Sequence, residues 1–285
     1  MKLLLLPNTE KPNIYACVRK LLSLHFEQPV EFWMDERFVP FFPECPLLHT
    51  GEIGVLMKEC DICIVIGGDG TIIHGGKLAA RHHKPVLGIN LGHLGFLATL
   101  ESDQLEHLGY LLTGEYTTEE RMMLSVTLVT PSGSRHWEAM NDAVLSKGGP
   151  EGHMVELQVL ARGRPVGSYR ADGLIFSTPT GSTAYSLSAG GPIIDPSLEC
   201  IAMTPLSPHS LFSRPILFDD QNCLCVYPVG SGNAYLTIDG EESVSIGPQD
   251  RLYIEKSDLF VHLINLTGKS FYDVLNEKLI WRSRK

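Results

Sequence analysis

The sequence predicts an N-terminal α/β domain with a parallel sheet, followed by a C-terminal domain rich in β-strands. Three observations predict it. In roughly the first 115 residues, short apolar runs alternate with stretches of helical spacing, the rhythm of right-handed βαβ units. From about Arg121 the apolar residues recur every second position, as in strands with one buried face. At residues 271–281 the helical spacing returns, with Phe271, Val274, Leu275 and Leu279 on one face, so the tail is expected to pack back on the first domain. The expected domains are 1–115 joined by 268–285, and 116–267.

The elements follow in order. Residues 2–6 read as a buried strand; Ile14, Val18, Leu21, Leu22 and Phe26 then recur at helical spacing. Residues 29–34, 62–66 and 85–90 read as further strands and 72–83 as a helix. Ligands of such sheets bind at the carboxyl ends of the strands, which directs attention to the loops after Ile66 and Ile89. In the second half Leu124, Val126 and Leu128 alternate with Ser125 and Thr127, as do Val155, Leu157 and Val159 with Glu156 and Gln158, and Ala234, Leu236 and Ile238 with Tyr235 and Thr237. Turn signals separate them at Pro131-Ser132-Gly133, Arg162-Gly163-Arg164-Pro165 and Gly230-Ser231-Gly232-Asn233.

Composition excludes several function classes. Lys and Arg number 23 against 33 Asp and Glu, a formal charge of −10, which repels nucleic acid and anionic lipid. No apolar stretch reaches the roughly 20 residues of a membrane span, and the run from Leu3 to Leu6 stops at Pro7, too short for a secretion signal. Seven irregularly spaced cysteines suit reduced thiols in a cytoplasmic protein. Cys60 and Cys63 are expected to be buried strand thiols, since no second CxxC or paired His completes a metal site.

Four segments carry chemistry. Gly67-Gly68-Asp69-Gly70-Thr71 follows an apolar strand and precedes a helix; its glycines let backbone N–H groups approach phosphate oxygens. Asp69 suits a hydroxyl proton, ribose hydroxyls or Mg²⁺, and equally a helix N-cap in a tight turn. A second glycine-spaced turn runs from Gly88 to Phe96, either a crossover or part of a site. The hydroxyl-rich segment 172–192 leads into a helix expected near Ser182-Thr183, with Tyr185 available to stack on a base. Asn141-Asp142 suits a ribose diol, and is also a common turn dipeptide.

Taken in order with Pro208-His209-Ser210-Leu211-Phe212-Ser213-Arg214-Pro215, these segments resemble the NAD kinase family, of the ATP-dependent bacterial type, over roughly residues 60 to 280. The resemblance implies an active site in the cleft between the two domains and transfer of the ATP γ-phosphoryl, with Mg²⁺, to the 2′-hydroxyl of the adenosine ribose of NAD. It also implies a homodimer or homotetramer with no nucleic acid or membrane partner. Carried over by position, Asp69 matches the catalytic carboxylate, with Gly67, Gly68, Gly70 and Thr71 as the phosphate loop and Asp69 and Gly70 also against NAD, where the glycines leave room for phosphates and ribose. Asn141 and Asp142 match the pair that holds ribose hydroxyls; Asp172, with Arg170 nearby, matches a carboxylate on the base or carboxamide. Thr183, Ala184, Tyr185, Ser186, Leu187 and Ser188 match the adenosine pocket; His74 falls where many members place a basic residue, and His153 precedes a strand where some members have a ligand contact, so both are expected at the NAD site. Asp239-Gly240-Glu241 departs from the common Asp-x-Gln form, exchanging two amide donors for a charge at Glu241. The alternatives are a lipid kinase sharing Gly-Gly-Asp-Gly-Thr, against which stand Asn141-Asp142 and the polar 183–188 pocket, and a non-catalytic dinucleotide sensor, against which stands Asp69.

Overall fold

The structure, a computed structural model, describes residues 1–42, 48–92, 95–148, 153–230, 233–241 and 243–280. His93 and Leu94 of the second glycine turn, Ser231 and Gly232 of a later one, and Trp281 lie outside them. Residues Met1–Glu120 with Val261–Lys285 form one compact unit and Arg121–Phe260 another.

In the first unit the strands are β1 (Lys2–Pro7), β2 (Glu31–Asp35), β3 (Leu48–Gly51), β4 (Ile62–Gly67), β5 (Val86–Asn90) and the short β6 (Leu100–Glu101). They run parallel in the order β3-β2-β1-β4-β5, with β6 on β5 and Leu263 also paired to Val86. Every residue of β4 and β5 is buried, which is why these strands read as continuous apolar runs instead of alternating ones. The helices are α1 (Ile14–Leu22), α2 (Ile53–Glu59), α3 (Asp69–Ala80) and α4 (Tyr110–Thr113). α1 buries Ile14, Cys17, Val18 and Leu21, one stripe at helical spacing. It stops short of Phe26 because Ser23 closes it, its hydroxyl donating to the Lys20 carbonyl at 2.7 Å.

The strands fall within two residues of expectation, and the bounds of α3 differ for local reasons. α3 starts at Asp69 instead of residue 72, directly on the Gly-Gly turn, and ends at Ala80 because His83 takes a left-handed φ of 52° that breaks the helix. β3 and α2, short and weakly patterned, were not evident from periodicity. Cys60 and Cys63 are buried as expected, Cys60 just after α2 and Cys63 within β4.

The second unit holds β7 (Thr117–Thr130), β8 (Gly133–Ala139), β9 (Asp142–Ser146), β10 (Val155–Ala161), β11 (Arg164–Ala171), β12 (Gly173–Ser177), β13 (Cys200–Leu206), β14 (Ile216–Asp219), β15 (Leu224–Pro228), β16 (Ala234–Ile238), β17 (Ser243–Ile246) and β18 (Arg251–Asn265). β7 begins and β18 ends within the residues of the first unit. One antiparallel sheet runs β14-β13-β12-β9-β16-β17; a second set pairs β11-β10-β15-β18, and β7 with β8. Alternate residues of both sets, among them Val126, Leu157, Phe176, Leu236 and Ile254, meet in one core, which accounts for the period-two pattern. The Arg162-Gly163 turn between β10 and β11 has φ of 50° and 73°, the two-residue hairpin its sequence signals.

The helix expected near Ser182-Thr183 is shorter and later. Residues Thr180–Thr183 form a 3₁₀ turn, and α5 spans only Tyr185–Ser188. A single turn of that length offers no helix N-terminus for an anion. The tail forms α6 (Phe271–Leu275) and then a wider π-helical turn over Asn276–Ile280.

Candidate active site

In the first unit the strand order changes direction between β1 and β4: the chain steps outward to β2 and β3 on one side, then to β5 on the other. Such a switch point leaves a crevice at the carboxyl ends of the two strands. Asn8 follows β1 and Gly68-Asp69 follows β4. The Asn8 side-chain amide donates to Thr71 Oγ1 at 2.9 Å, joining the two strand ends. The Asn8 N–H donates to the Ile66 carbonyl at 2.9 Å.

Asp69 is fixed from the next strand end. Beyond β5 the chain turns at Asn90, whose side chain both donates to and accepts from the Gly92 backbone. It then passes close to α3, where the Phe96 N–H donates to Asp69 Oδ2 at 2.9 Å and the Leu97 N–H to Oδ1 at 3.2 Å. Gly95 is required here because a Cβ at this position would overlap Asp69 Oδ1. Lys278 Nζ lies 3.7 Å from Oδ2. Asp69 is partly exposed, so a carboxylate with fixed orientation faces the crevice.

In the second unit a cleft of about 410 Å³ is lined by Asn141, Asp142, Val144, Ser146, Ala184, Tyr185, Thr237, Asp239 and Gly240. Its floor is built by Asp239, which sits at the end of β16 with a left-handed φ of 50°. Its carboxylate accepts the N–H groups of Met140, Asn141 and Asp142 at 3.0, 2.7 and 3.1 Å. Those bonds hold the turn into β9. Gly181 packs so close to the Asn141 carbonyl that any side chain would overlap it. Asp142 is buried, and burial together with the neighbouring Asp239 charge pushes its carboxyl up to about 7. A group that titrates near neutrality can accept or donate to a hydroxyl.

The expected site residues are thus only partly assembled in this cleft. Asn141, Asp142, Ala184 and Tyr185 line it, and Tyr185 is exposed. The hydroxyls of the 172–192 segment mostly turn inward. Thr178 donates to Met140 O and Ser182 to Pro179 O; Thr183 bonds to Thr180 O, and buried Ser186 shares a hydrogen bond with Thr204. Leu187 and Ser188 are not among the lining residues. Arg170 lines a separate cleft of about 430 Å³ with His209, Ser210, Phe212 and Arg214. Asp172 pairs with Lys147 at 2.8 Å. His74 is exposed on α3, His153 is exposed before β10, and exposed Glu241 follows the Asp239-Gly240 turn. Asn8, Asp239 and Lys278 were not assigned a role in the sequence; Asp239 alone had a signal, the Asp-Gly turn after a strand.

Among the described residues no group of three or more His, Cys, Asp or Glu side chains could hold a metal ion. No helix among them is long and apolar enough to cross a membrane.

Residues 52–116 match the ATP-NAD kinase N-terminal domain, and residues 140–266 the ATP-NAD kinase C-terminal domain. The NAD kinase of Symbiobacterium thermophilum is 45% identical over 229 residues, covering 79% of this chain and 81% of the relative. That of Heliobacterium modesticaldum is 36% identical over 281 residues, covering 95% and 96%. Among solved structures, yeast NADH kinase complexed with NADH aligns with a TM-score of 0.89 at 25% identity, over 100% of this chain and 89% of that one. An NAD kinase from Archaeoglobus fulgidus in complex with ATP shares the fold, with a TM-score of 0.70 at 24% identity over 100% and 99%.

Proposed function

This chain belongs to the NAD kinase family, and from that premise we propose how its residues carry out the reaction. The enzyme transfers the γ-phosphoryl group of ATP to the 2′-hydroxyl of the adenosine ribose of NAD, giving NADP and ADP. The relatives do not favour the lipid-kinase or sensor alternatives.

The observation that carries the residue assignment is the Asp69 carboxylate, held by two backbone N–H groups at the switch point of a parallel sheet. In the transfer, the 2′-oxygen forms a bond to the γ-phosphorus while the bond from that phosphorus to the β–γ bridging oxygen breaks, and ADP leaves with the electron pair. Asp69 accepts the 2′-hydroxyl proton. General-base help of this kind is worth about 10²–10⁴ in rate. Most of the remaining acceleration comes from positioning and charge neutralisation. Gly67, Gly68, Gly70 and Thr71 form the phosphate loop, where the absence of side chains on the glycines lets ATP oxygens reach backbone N–H groups. Mg²⁺ enters as part of the MgATP substrate.

We assign Asn141 and Asp142 to the ribose hydroxyls and Tyr185 with Ala184 to the adenine. Asp239 acts as the brace beneath them. Arg170, Asp172, His74, His153 and Glu241, with Thr183, Leu187 and Ser188, are assigned to the rest of the dinucleotide; Ser186 supports that wall from within. In this division residues 1–115 with 268–285 serve ATP and bring Asp69 and His74 to the dinucleotide, and 116–267 supply the rest of the NAD site. Free thiols at Cys17, Cys60, Cys63, Cys200, Cys223 and Cys225 suit a reducing cytoplasm. We further propose a homodimer or homotetramer, which light scattering at working concentration would test.

The decisive experiment is Asp69→Asn. NADP formation from MgATP and NAD, coupled to an NADP-specific dehydrogenase, is expected to fall to background, while calorimetry still detects NAD binding. Turnover near the wild-type rate would remove Asp69 from the chemistry.

A further inference from the structure

The C-terminal segment reaches the candidate base through a short, well-anchored path. Ser270 begins it with a capping box: its hydroxyl accepts the Asp273 N–H at 3.3 Å, and Asp273 Oδ2 accepts the Ser270 N–H at 2.9 Å. The Phe271 ring meets the Phe96 ring at 6.4 Å between centroids. One helical stretch later, Lys278 Nζ lies 4.2 Å from the centroid of the same Phe96 ring and 3.7 Å from Asp69 Oδ2. Phe96 itself donates its N–H to that oxygen at 2.9 Å. Asp69, Phe96 and Lys278 therefore form a closed triangle, each member in contact with the other two. The Lys278 and Asp69 side chains are 23% and 33% exposed, so the pair is shielded from much of the solvent that weakens surface ion pairs.

We propose that Lys278 is a positioning residue for Asp69, locking the carboxylate in the orientation needed to receive the acceptor hydroxyl's proton; this rests on the assignment of Asp69 above. A carboxylate has about four acceptor sites. Phe96 and Leu97 take one on each oxygen, and Lys278 lies against Oδ2. The second site of Oδ1 is left for the incoming hydroxyl. Without the ammonium, the carboxylate keeps two amide bonds but loses the charge that opposes its rotation toward water. The wide turn over Asn276–Ile280 lies at the end of the chain, so the catalytic end of the first unit is completed by residues far from the Gly-Gly-Asp-Gly motif in sequence.

The test uses the full chain with Lys278→Met and Lys278→Arg, beside Asp69→Asn. Steady-state NADP formation should show kcat reduced about 10- to 100-fold in Lys278→Met, the scale of a misplaced reacting group. KM for NAD and for MgATP should stay within about twofold, and Lys278→Arg, which keeps the charge, should recover most of kcat. Thermal unfolding midpoints compare the folding of the variants. Wild-type kcat in Lys278→Met with an inactive Asp69→Asn would overturn the role of Lys278 alone. So would a loss carried by KM, or Lys278→Arg no better than Lys278→Met. An active Asp69→Asn would instead overturn the assignment of the base, and the role of Lys278 with it.

Discussion

Replacing Asp142 by Asn should stabilise the protein at pH 8 and do almost nothing near pH 4. Asn has nearly the same shape and does not ionise. Burial, reinforced by the Asp239 charge, raises the Asp142 carboxyl from 3.8 to about 7. Between these two values the unfolded chain has released the proton and the folded chain still holds it. Folding therefore takes up a proton in that window, and stability falls as pH rises through it, then levels off above about 7. Each pH unit is worth about 1.4 kcal/mol, so the wild type should lose roughly 4 kcal/mol from this group between pH 4 and pH 8, while the variant is spared. With a urea slope of about 2 kcal/mol per molar, that is a midpoint roughly 2 M higher for the variant at pH 8. Urea titrations at several pH values, followed by circular dichroism and by the fluorescence of Trp137, which packs against the core of the second unit, would measure it. A midpoint difference independent of pH, or one that favours the wild type increasingly toward pH 8, would refute the reasoning.

Two further substitutions probe the supports of Asp69 in the first unit and of the Asn141–Asp142 turn in the second. Gly95→Ala places a methyl group where Asp69 Oδ1 stands, so the carboxylate must turn away; NADP formation should fall about 100-fold with a near-native urea midpoint. Asp239→Asn leaves one oxygen and an NH₂ group facing the N–H donors of Met140, Asn141 and Asp142, and should cost about 2–4 kcal/mol at pH 6 by urea titration. The same change removes the like charge beside Asp142, so the fall in stability between pH 4 and pH 7 should become shallower.

What the sequence makes legible is local or periodic. The all-apolar run before Gly67 and the glycines after it sit in one stretch of chain, so a strand, a turn and a helix start can be read together. Period-two alternation likewise exposes β7, β10 and β16. The hydroxyl-rich segment misleads for a physical reason: Ser and Thr bond readily to nearby backbone, as Thr178 does in accepting the Gly181 N–H and Ser182 and Thr183 do in donating to carbonyls three residues back, leaving few hydroxyls for a ligand. Lys278 carries no local signature, and the Asp-Gly turn at Asp239 does not tell what that carboxylate holds, because Asp69 and the turn at Asn141 come from distant stretches of chain. The charge of −10 hides the same distinction. Three aspartates that look alike in the sequence occupy three environments: Asp69 between two amides and an ammonium, Asp239 holding three backbone amides, and Asp142 buried beside a like charge. Roles for carboxylates are set by environments that push them apart. Asp239 is committed to holding backbone and Asp69 to a fixed orientation. Asp142 holds its proton up to about pH 7, so on the proposed assignment, in which the ribose hydroxyls of NAD donate to it, NAD binding should release that proton.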